Sequence, residues 1–332
     1  MENVGNKRLR PIVFFLIKIA IAFGIVSWII GKGKLDFGLF AQFFQDRAGD
    51  WIIALILLAV VVFLCSYRWK TILDIKAEVP YGRVVGNVWI GLLFSPLLPG
   101  MVSGDVVRIA YGRTLDKKLS FDYLISSVLM DRIFGLMGLA LISGIVSLTL
   151  GDRWEGLSWG IKQLILFNIS ILTLFLVFVF LFLSKKKGQE CVGNKLGMIP
   201  FIGAFTAKVF AQFCMIGKRR RVVFSCLFVS VIAQSIEIFV FWFLSHSNIA
   251  GRPELLDVAI LFPVGMIAVS IPITPLGFGV GHLVFYELFA LYGIREGANY
   301  FNAFILTHLV NGFWGLFPYL FGRSKVLGRR RF

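Results

Sequence analysis

The stretch Leu98-Pro99-Gly100-Met101-Val102-Ser103-Gly104-Asp105-Val106-Val107-Arg108 breaks an otherwise apolar region running from about 84 to 112. Proline removes a backbone donor, and glycine weakens a helix interior by about 1 kcal/mol relative to alanine. This region therefore reads as two short helices around a kinked tip. The pattern returns 177 residues later, without a gap, as Leu276-Gly277-Phe278-Gly279-Val280-Gly281, inside a second apolar region from about 255 to 292. Laying Gly100–Leu139 over Gly277–Leu316 gives eight identities in forty columns, where composition alone gives roughly three. Four are the glycine pairs Gly100/Gly277, Gly104/Gly281, Gly135/Gly312 and Gly138/Gly315. The others are Val107/Val284, Tyr123/Tyr300, Leu129/Leu306 and Leu139/Leu316. An interrupted apolar segment occurring once in each half of a membrane chain points to a binding site between pseudo-symmetric halves.

Composition supplies the membrane. Hydrophobic residues make up 58% of the 332, far above a water-soluble domain. Full-span helices are expected at about 11–30, 51–67, 123–148, 161–184, 222–245 and 299–321, most near the roughly 20 residues that a 30 Å hydrocarbon core requires. The basic excess, 34 Lys+Arg against 18 Asp+Glu, follows topology and gives no sign of nucleic-acid binding. With the N-terminus inside and both interrupted regions returning to the side they entered, cytoplasmic segments hold 25 Lys/Arg and external ones seven. Lys18 and Arg132 lie within spans. If 84–112 crossed the membrane, this asymmetry would collapse. Three spans separate the two kinked regions, so they enter from opposite faces. The fold expected is an all-α polytopic membrane protein with about six full transmembrane helices plus two re-entrant helical hairpins related by an inverted internal repeat. It forms a single integral domain over 1–332, with repeat halves at about 84–148 and 255–321, multi-pass in the cell (inner) membrane with both termini cytoplasmic.

The N-terminal apolar run lacks a small-residue cleavage site after it and is expected to stay as an anchor. Of the four cysteines, Cys191 and Cys214 are cytoplasmic in this topology, Cys65 and Cys226 lie near cytoplasmic helix ends, and no disulfide is expected. No metal-ligand spacing, Walker loop or nucleotide fingerprint occurs, so no cofactor or metal is expected. The cytoplasmic loop 185–221 is basic. In it Phe201, Phe205, Val209 and Phe213 recur at helical spacing beside Lys208 and Gln212, just before Lys218-Arg219-Arg220-Arg221, as in a helix lying at the interface.

The candidate substrate-binding residues are the ionisable groups at membrane depth. Asp105 and Arg108 are three apart and share a helix face just beyond the first tip, where free N–H groups and a guanidinium fork suit a phosphate. Asp131 and Arg132 lie in an apolar span, each costing about 2.5–3.5 kcal/mol to insert. Adjacent residues point about 100° apart, so at least one needs a partner elsewhere. Asp131, Gly135 and Gly138 share a face that lets another backbone approach, and His308, Gly312 and Gly315 repeat it in the second half. Glu287 on the second hairpin is a candidate partner for Arg132 or a proton site, and Gln234 and Glu237 are further intramembrane polar groups. The hairpin glycines Gly100, Gly104, Gly277, Gly279 and Gly281 let a headgroup approach the backbone.

Leu98-Pro99-Gly100 with Gly104-Asp105-Val106-Val107-Arg108, Ser127-Val128-Leu129-Met130-Asp131-Arg132-Ile133-Phe134-Gly135-Leu136 and Ile271-Pro272-Ile273-Thr274-Pro275-Leu276-Gly277-Phe278-Gly279-Val280 together resemble the lysylphosphatidylglycerol synthase transmembrane-region family, also called flippase-like integral membrane proteins. Arg68-Trp69-Lys70 is similar to an Arg-Trp-basic pattern there. The resemblance implies movement of aminoacylated phospholipids across the bilayer. In the synthases the domain precedes a soluble aminoacyl-tRNA-dependent transferase, which this sequence lacks, so lysine transfer is not implied. Gly281-His282 stands where the family commonly carries an Arg-Glu pair. The function expected is a non-enzymatic lipid translocator, flippase or scramblase-like, acting on a membrane phospholipid or aminoacylated lipid, with a lipid-modifying synthase as a possible partner. The alternatives are an integral membrane transferase acting on a lipid-linked substrate and a lipid-recognising accessory subunit of a synthase.

Overall fold

A computed structural model describes residues 37–97, 102–183, 203–246, 253–270 and 280–321. The expected first span at 11–30 with Lys18, the tip glycines Gly100, Gly277 and Gly279, Cys191, Lys185–Lys187, Phe201 and the basic C-terminal tail lie outside these residues, as do the side chains of Phe205 and Val209. The regular elements among the described residues are all helical. The α-helices are α1 (Phe37–Leu73), α2 (Tyr81–Phe94), α3 (Val102–Gly112), α4 (Phe121–Thr149), α5 (Trp159–Leu183) and α6 (Gly203–Gly217). They continue with α7 (Arg220–His246), α8 (Leu255–Ser270), α9 (Val280–Ala290), α10 (Gly297–Gly312) and α11 (Leu316–Phe321).

Five segments are long and apolar enough to cross a membrane: Ala48–Leu73, Phe121–Thr149, Trp159–Val177, Arg220–Ser245 and Gly297–Phe321. The chain is a multi-pass membrane protein. These five segments coincide with the expected spans at 51–67, 123–148, 161–184, 222–245 and 299–321. The first of them runs six residues further than its charges suggested, because Arg68 and Trp69 are buried inside the bundle and stay helical. The outward faces are apolar. On α1, Ile52, Ile53, Ile56, Val60, Phe63 and Tyr67 are exposed, and on α7 Phe224, Phe228, Ile232 and Phe239, at the spacing of one helical stripe. In water such stripes would be turned inward; here hydrocarbon is the solvent that suits them.

The interrupted regions fold as pairs of short helices. α2 and α3 rise about 21 Å and 17 Å, less than the roughly 30 Å hydrocarbon core. They pack antiparallel: Asn87 Nδ2 donates to the Arg108 carbonyl at 3.1 Å, and a Cβ placed on Gly104 would lie 2.7 Å from the Gly91 carbonyl oxygen. No side chain fits at either glycine, which is what lets the backbones approach. α8 and α9 pack likewise, with Gly265 under the Phe285 ring. Shifting α2, α3 and the start of α4 by 177 gives 258–271, 279–289 and 298, against the observed 255–270, 280–290 and 297.

Two cores support these pairs. Trp69, Leu73, Val84, Val88, Trp89, Tyr123 and Leu124 join α1, α2 and α4. Phe241, Phe262, Phe285, Phe289, Phe301 and Phe304 join α7 to α8, α9 and α10, many with ring centroids about 5–6 Å apart. Glycines carry the closest crossings. Gly138 lies against the Ser230 backbone of α7, while Gly312 and Gly315 lie against the Leu92 and Trp89 carbonyls of α2. At this last crossing the expected span 299–321 tightens into a 3-10 turn over Phe313–Gly315. α6 packs Phe213 and Ile216 against α4 and α7 and leaves Lys208 and the run Lys218–Arg221 exposed. Among the described residues Cys65, Cys214 and Cys226 are free thiols.

A Cβ on Gly315 would sit 2.2 Å from the Trp89 carbonyl oxygen, whereas one on Gly82 meets nothing within 4 Å. Gly315→Ala is expected to cost about 1–3 kcal/mol by overpacking. Gly82→Ala, in an open helical position, is expected to gain about 0.5–1 kcal/mol. Thermal unfolding of the purified protein followed by size-exclusion chromatography checks both signs.

Candidate functional site: an arginine–aspartate ladder

Four of the proposed site residues meet a fifth in one continuous ladder. Arg68, near the end of α1, donates from Nε to Asp131 Oδ1 at 2.7 Å. The other oxygen of Asp131 accepts from Arg108 Nη2 at 3.1 Å. Arg108 in turn reaches Asp105 Oδ1 through Nη1 at 3.4 Å, and Asp105 Oδ2 accepts from Arg132 Nε. Among the described ion pairs the order is Arg68, Asp131, Arg108, Asp105, Arg132, alternating in sign. Three arginines against two aspartates leave one formal positive charge.

Each rung has a local cause. Asp105 and Arg108 are one turn apart on α3, so their side chains lie on one face. Asp131 and Arg132 are adjacent on α4 and diverge, so they take different partners: Asp131 faces α1 and α3, and Arg132 reaches the acid of α3. Asp131 is ten residues into α4, about 15 Å by helical rise. Arg68 is fixed on every side. Its Nη1 donates to Ser230 Oγ at 2.8 Å, that hydroxyl donates to the Cys226 carbonyl, and Cys226 Sγ lies 3.8 Å from the Arg68 carbonyl oxygen. Gly135 faces the guanidinium: a Cβ there would be 3.6 Å from both terminal nitrogens of Arg68, in ordinary van der Waals contact. The Arg108 guanidinium lies 4.3 Å from the Trp69 ring centroid, and Trp69 Nε1 donates to Ser127 Oγ at 3.1 Å.

Burial is graded along the ladder. The Arg68 and Asp131 side chains are 6% and 5% exposed, and Arg132 is 35% exposed. The inner end is sealed and the outer end opens. In low dielectric a charge is retained only when paired and hydrogen-bonded, as Asp131 is through both oxygens. Arg108 Nε, Asn87 Oδ1 and Gln234 Oε1 are buried without a hydrogen-bond partner among the described residues. Of these only Arg108 Nε is a donor, and with the open Arg132 fork it suits an anion with several oxygens, while the two amide oxygens call for donors of their own.

The remaining candidates lie elsewhere. Glu287 is exposed on α9 and makes no ion pair with Arg132 or any other described residue. His308 hydrogen-bonds the Phe304 carbonyl at 3.2 Å and lies tilted against the Phe304 ring, with no bond to the ladder. Gly104 sits at the α2–α3 crossing behind Asp105, and Gly281 under the Phe301 ring. The residue the sequence reading did not place in the site is Arg68, whose only signal was the Arg-Trp-basic pattern after the second expected span.

Asp131→Asn leaves two buried guanidinium groups short of charge and is expected to destabilise the protein by about 3–5 kcal/mol. Combining it with Arg68→Gln is expected to cost at least 1 kcal/mol less than the two single changes summed. A thermal-melt double-mutant cycle measures that coupling.

The family described as Lysylphosphatidylglycerol synthase TM region matches residues 15–320. The chain is similar to a "UPF0104 membrane protein" of Methanothermobacter thermautotrophicus, 24% identical over 317 residues that cover 89% of this chain and 87% of that protein. No solved structure matches it. With the match spanning the helices that build the ladder, the chain belongs to the lysylphosphatidylglycerol synthase TM-region family.

Proposed function

We propose that this protein moves a phosphate-containing lipid headgroup between the leaflets of the cell membrane, without catalysing a covalent change. The observation that carries this reading is the ladder's charge: an arginine excess at membrane depth, closed at Arg68 and open at Arg132. An apolar bilayer offers a phosphodiester nothing in exchange for its hydration shell, so a carrier must supply donors where water is absent. The ladder supplies them, and its two aspartates keep the arginines in place when no anion is bound. The carboxylates beside the arginines suit a zwitterionic or aminoacylated headgroup, and a lipid-modifying synthase would be the source of such a lipid.

In this reading α2–α3 and α8–α9 are re-entrant hairpins of an inverted repeat, the first opening to the cytoplasm and the second to the outside, with both termini cytoplasmic. Support comes from their short, antiparallel helices and from helix bounds that recur at the 177-residue offset. The exposed basic run Lys218–Arg221 after α6 then faces anionic headgroups on the cytoplasmic side.

In reconstituted vesicles, a fluorescent phosphatidylglycerol analogue is expected to exchange leaflets faster with the wild-type protein than without it, and Arg132→Ala is expected to slow this at least about tenfold, a loss of about 1.4 kcal/mol of transition-state stabilisation. Equal rates for the variant and the wild type overturn the reading. In a cysteine-free background, Glu78→Cys and Lys117→Cys are expected to label from one face of sealed vesicles, and Glu254→Cys and Arg295→Cys from the other. Labelling of the first two from opposite faces rules out the first hairpin.

A further inference from the structure

Glu237 of α7 lies two turns along the helix from Ser230, the hydroxyl that accepts from Arg68, and outside the ladder's pairing scheme. At 100° per residue, Ser230, Gln234, Glu237 and Phe241 fall on one stripe of α7, and Glu237 points about 180° away from the lipid-facing stripe of Phe224, Phe228, Ile232 and Phe239. Ser230, Gln234 and Phe241 are buried in the bundle, so the carboxyl faces inward. It accepts no hydrogen bond from a described residue and has no ion pair with one. Its charged neighbour is Arg68 of α1, the arginine already bound by Asp131.

The groups around it are few. From α1 come Arg68 and the Cys65 thiol, whose electrostatic neighbours are Arg68, Asp131, Glu237 and Arg108. From α4, Asp131 faces it across Arg68. From α10, His308 is turned to the Phe304 carbonyl, and from α8, Asp257 is turned to Tyr292. α6 presents Lys208 on its exposed side.

Charge counting gives the consequence. The ladder alone carries one net positive charge; with Glu237 ionised beside Arg68 the assembly is neutral, and with Glu237 protonated the positive charge is restored. We propose that Glu237 is a proton-binding site linked to the ladder, so that one proton is taken up when a phosphodiester anion binds and given up when it leaves. This rests on the headgroup reading above and adds the ion that drives or gates it. Linkage makes the effect reciprocal: the proton tightens the anion by the factor by which the anion tightens the proton. The sign follows, with anion affinity rising as pH falls.

The test is calorimetric titration of the full-length protein in micelles with dihexanoyl phosphatidylglycerol and, separately, with dimethyl phosphate. Neither phosphodiester titrates between pH 6 and 8, so any proton taken up belongs to the protein. Runs at pH 7 in two buffers of different ionisation enthalpy count the protons. The wild type is expected to take up a proton, up to one per anion, and to bind about tenfold more tightly at pH 6 than at pH 8. Glu237→Gln is expected to abolish the uptake and hold the tighter affinity at every pH, while Glu237→Asp keeps a titratable group and with it the uptake. Anion binding by the wild type without proton uptake, or the same uptake in Glu237→Gln, overturns the linkage and leaves the headgroup reading standing. Absence of anion binding by the wild type overturns both. A response to the lipid alone assigns the site to a headgroup with its glycerol; a response to both probes assigns it to the phosphodiester.

Discussion

Asp131 accepts from two guanidinium groups at once, Arg68 on one oxygen and Arg108 on the other, in a helix whose outer face meets hydrocarbon. The three elements involved come from distant parts of the chain, and the carboxylate fixes their relative positions more tightly than apolar packing does. Lipid tails are as apolar as leucine, so helices in a bilayer gain little by hiding apolar surface from them. A buried ion pair has directional geometry and a severe cost when broken, and so it specifies one arrangement among many of similar packing energy. Trp69, Ser127 and Ser230 take their positions from it: two hold the arginines and one orients the indole.

The ladder also explains why the first hairpin is short. Asp105 and Arg108 must reach α4 at the level of Asp131 and Arg132, so α3 has to begin close to that level. A continuous helix through this region would carry Asp105 past its partner. The helix α2 ends at Phe94, and Gly104 and Gly91 let the two arms lie close enough for the acid to face α4. Local backbone chemistry and long-range electrostatics agree on one geometry here, which is the consistency expected of a specified fold.

Much of this was legible in the sequence. Pro99-Gly100 and Gly277 marked the breaks, and charges in apolar surroundings marked Asp131, Arg132, Asp105 and Arg108. The argument that adjacent Asp131 and Arg132 cannot serve each other held, since each has its own partner. Arg68 was hidden because its position near a span end is where a snorkelling arginine also sits; only the tertiary fold distinguishes a side chain turned to water from one turned to Asp131. His308 and Glu287 carried the same signal as the ladder residues, a polar group in an apolar run. His308 is served by its own helix carbonyl and Glu287 lies on an outer face, and neither outcome leaves a mark in spacing or composition. The glycine partners were equally out of reach: periodicity put Gly135 and Gly138 on one face without saying that one would meet a guanidinium and the other a backbone.

The seating of Gly312 and Gly315 on α2 has a consequence for biogenesis. The first hairpin is closed over by the end of α10 and the 3-10 turn after it, more than two hundred residues downstream, and Trp51 reaches similarly far to Thr307. During synthesis α2 and α3 therefore wait for more than two hundred further residues before their covering turn exists, a contact order that makes folding slow and leaves polar backbone provisionally unshielded. The ionic rungs among α1, α3 and α4 involve only residues made early, and they can hold the nascent hairpin in shape until α10 and the turn after it arrive.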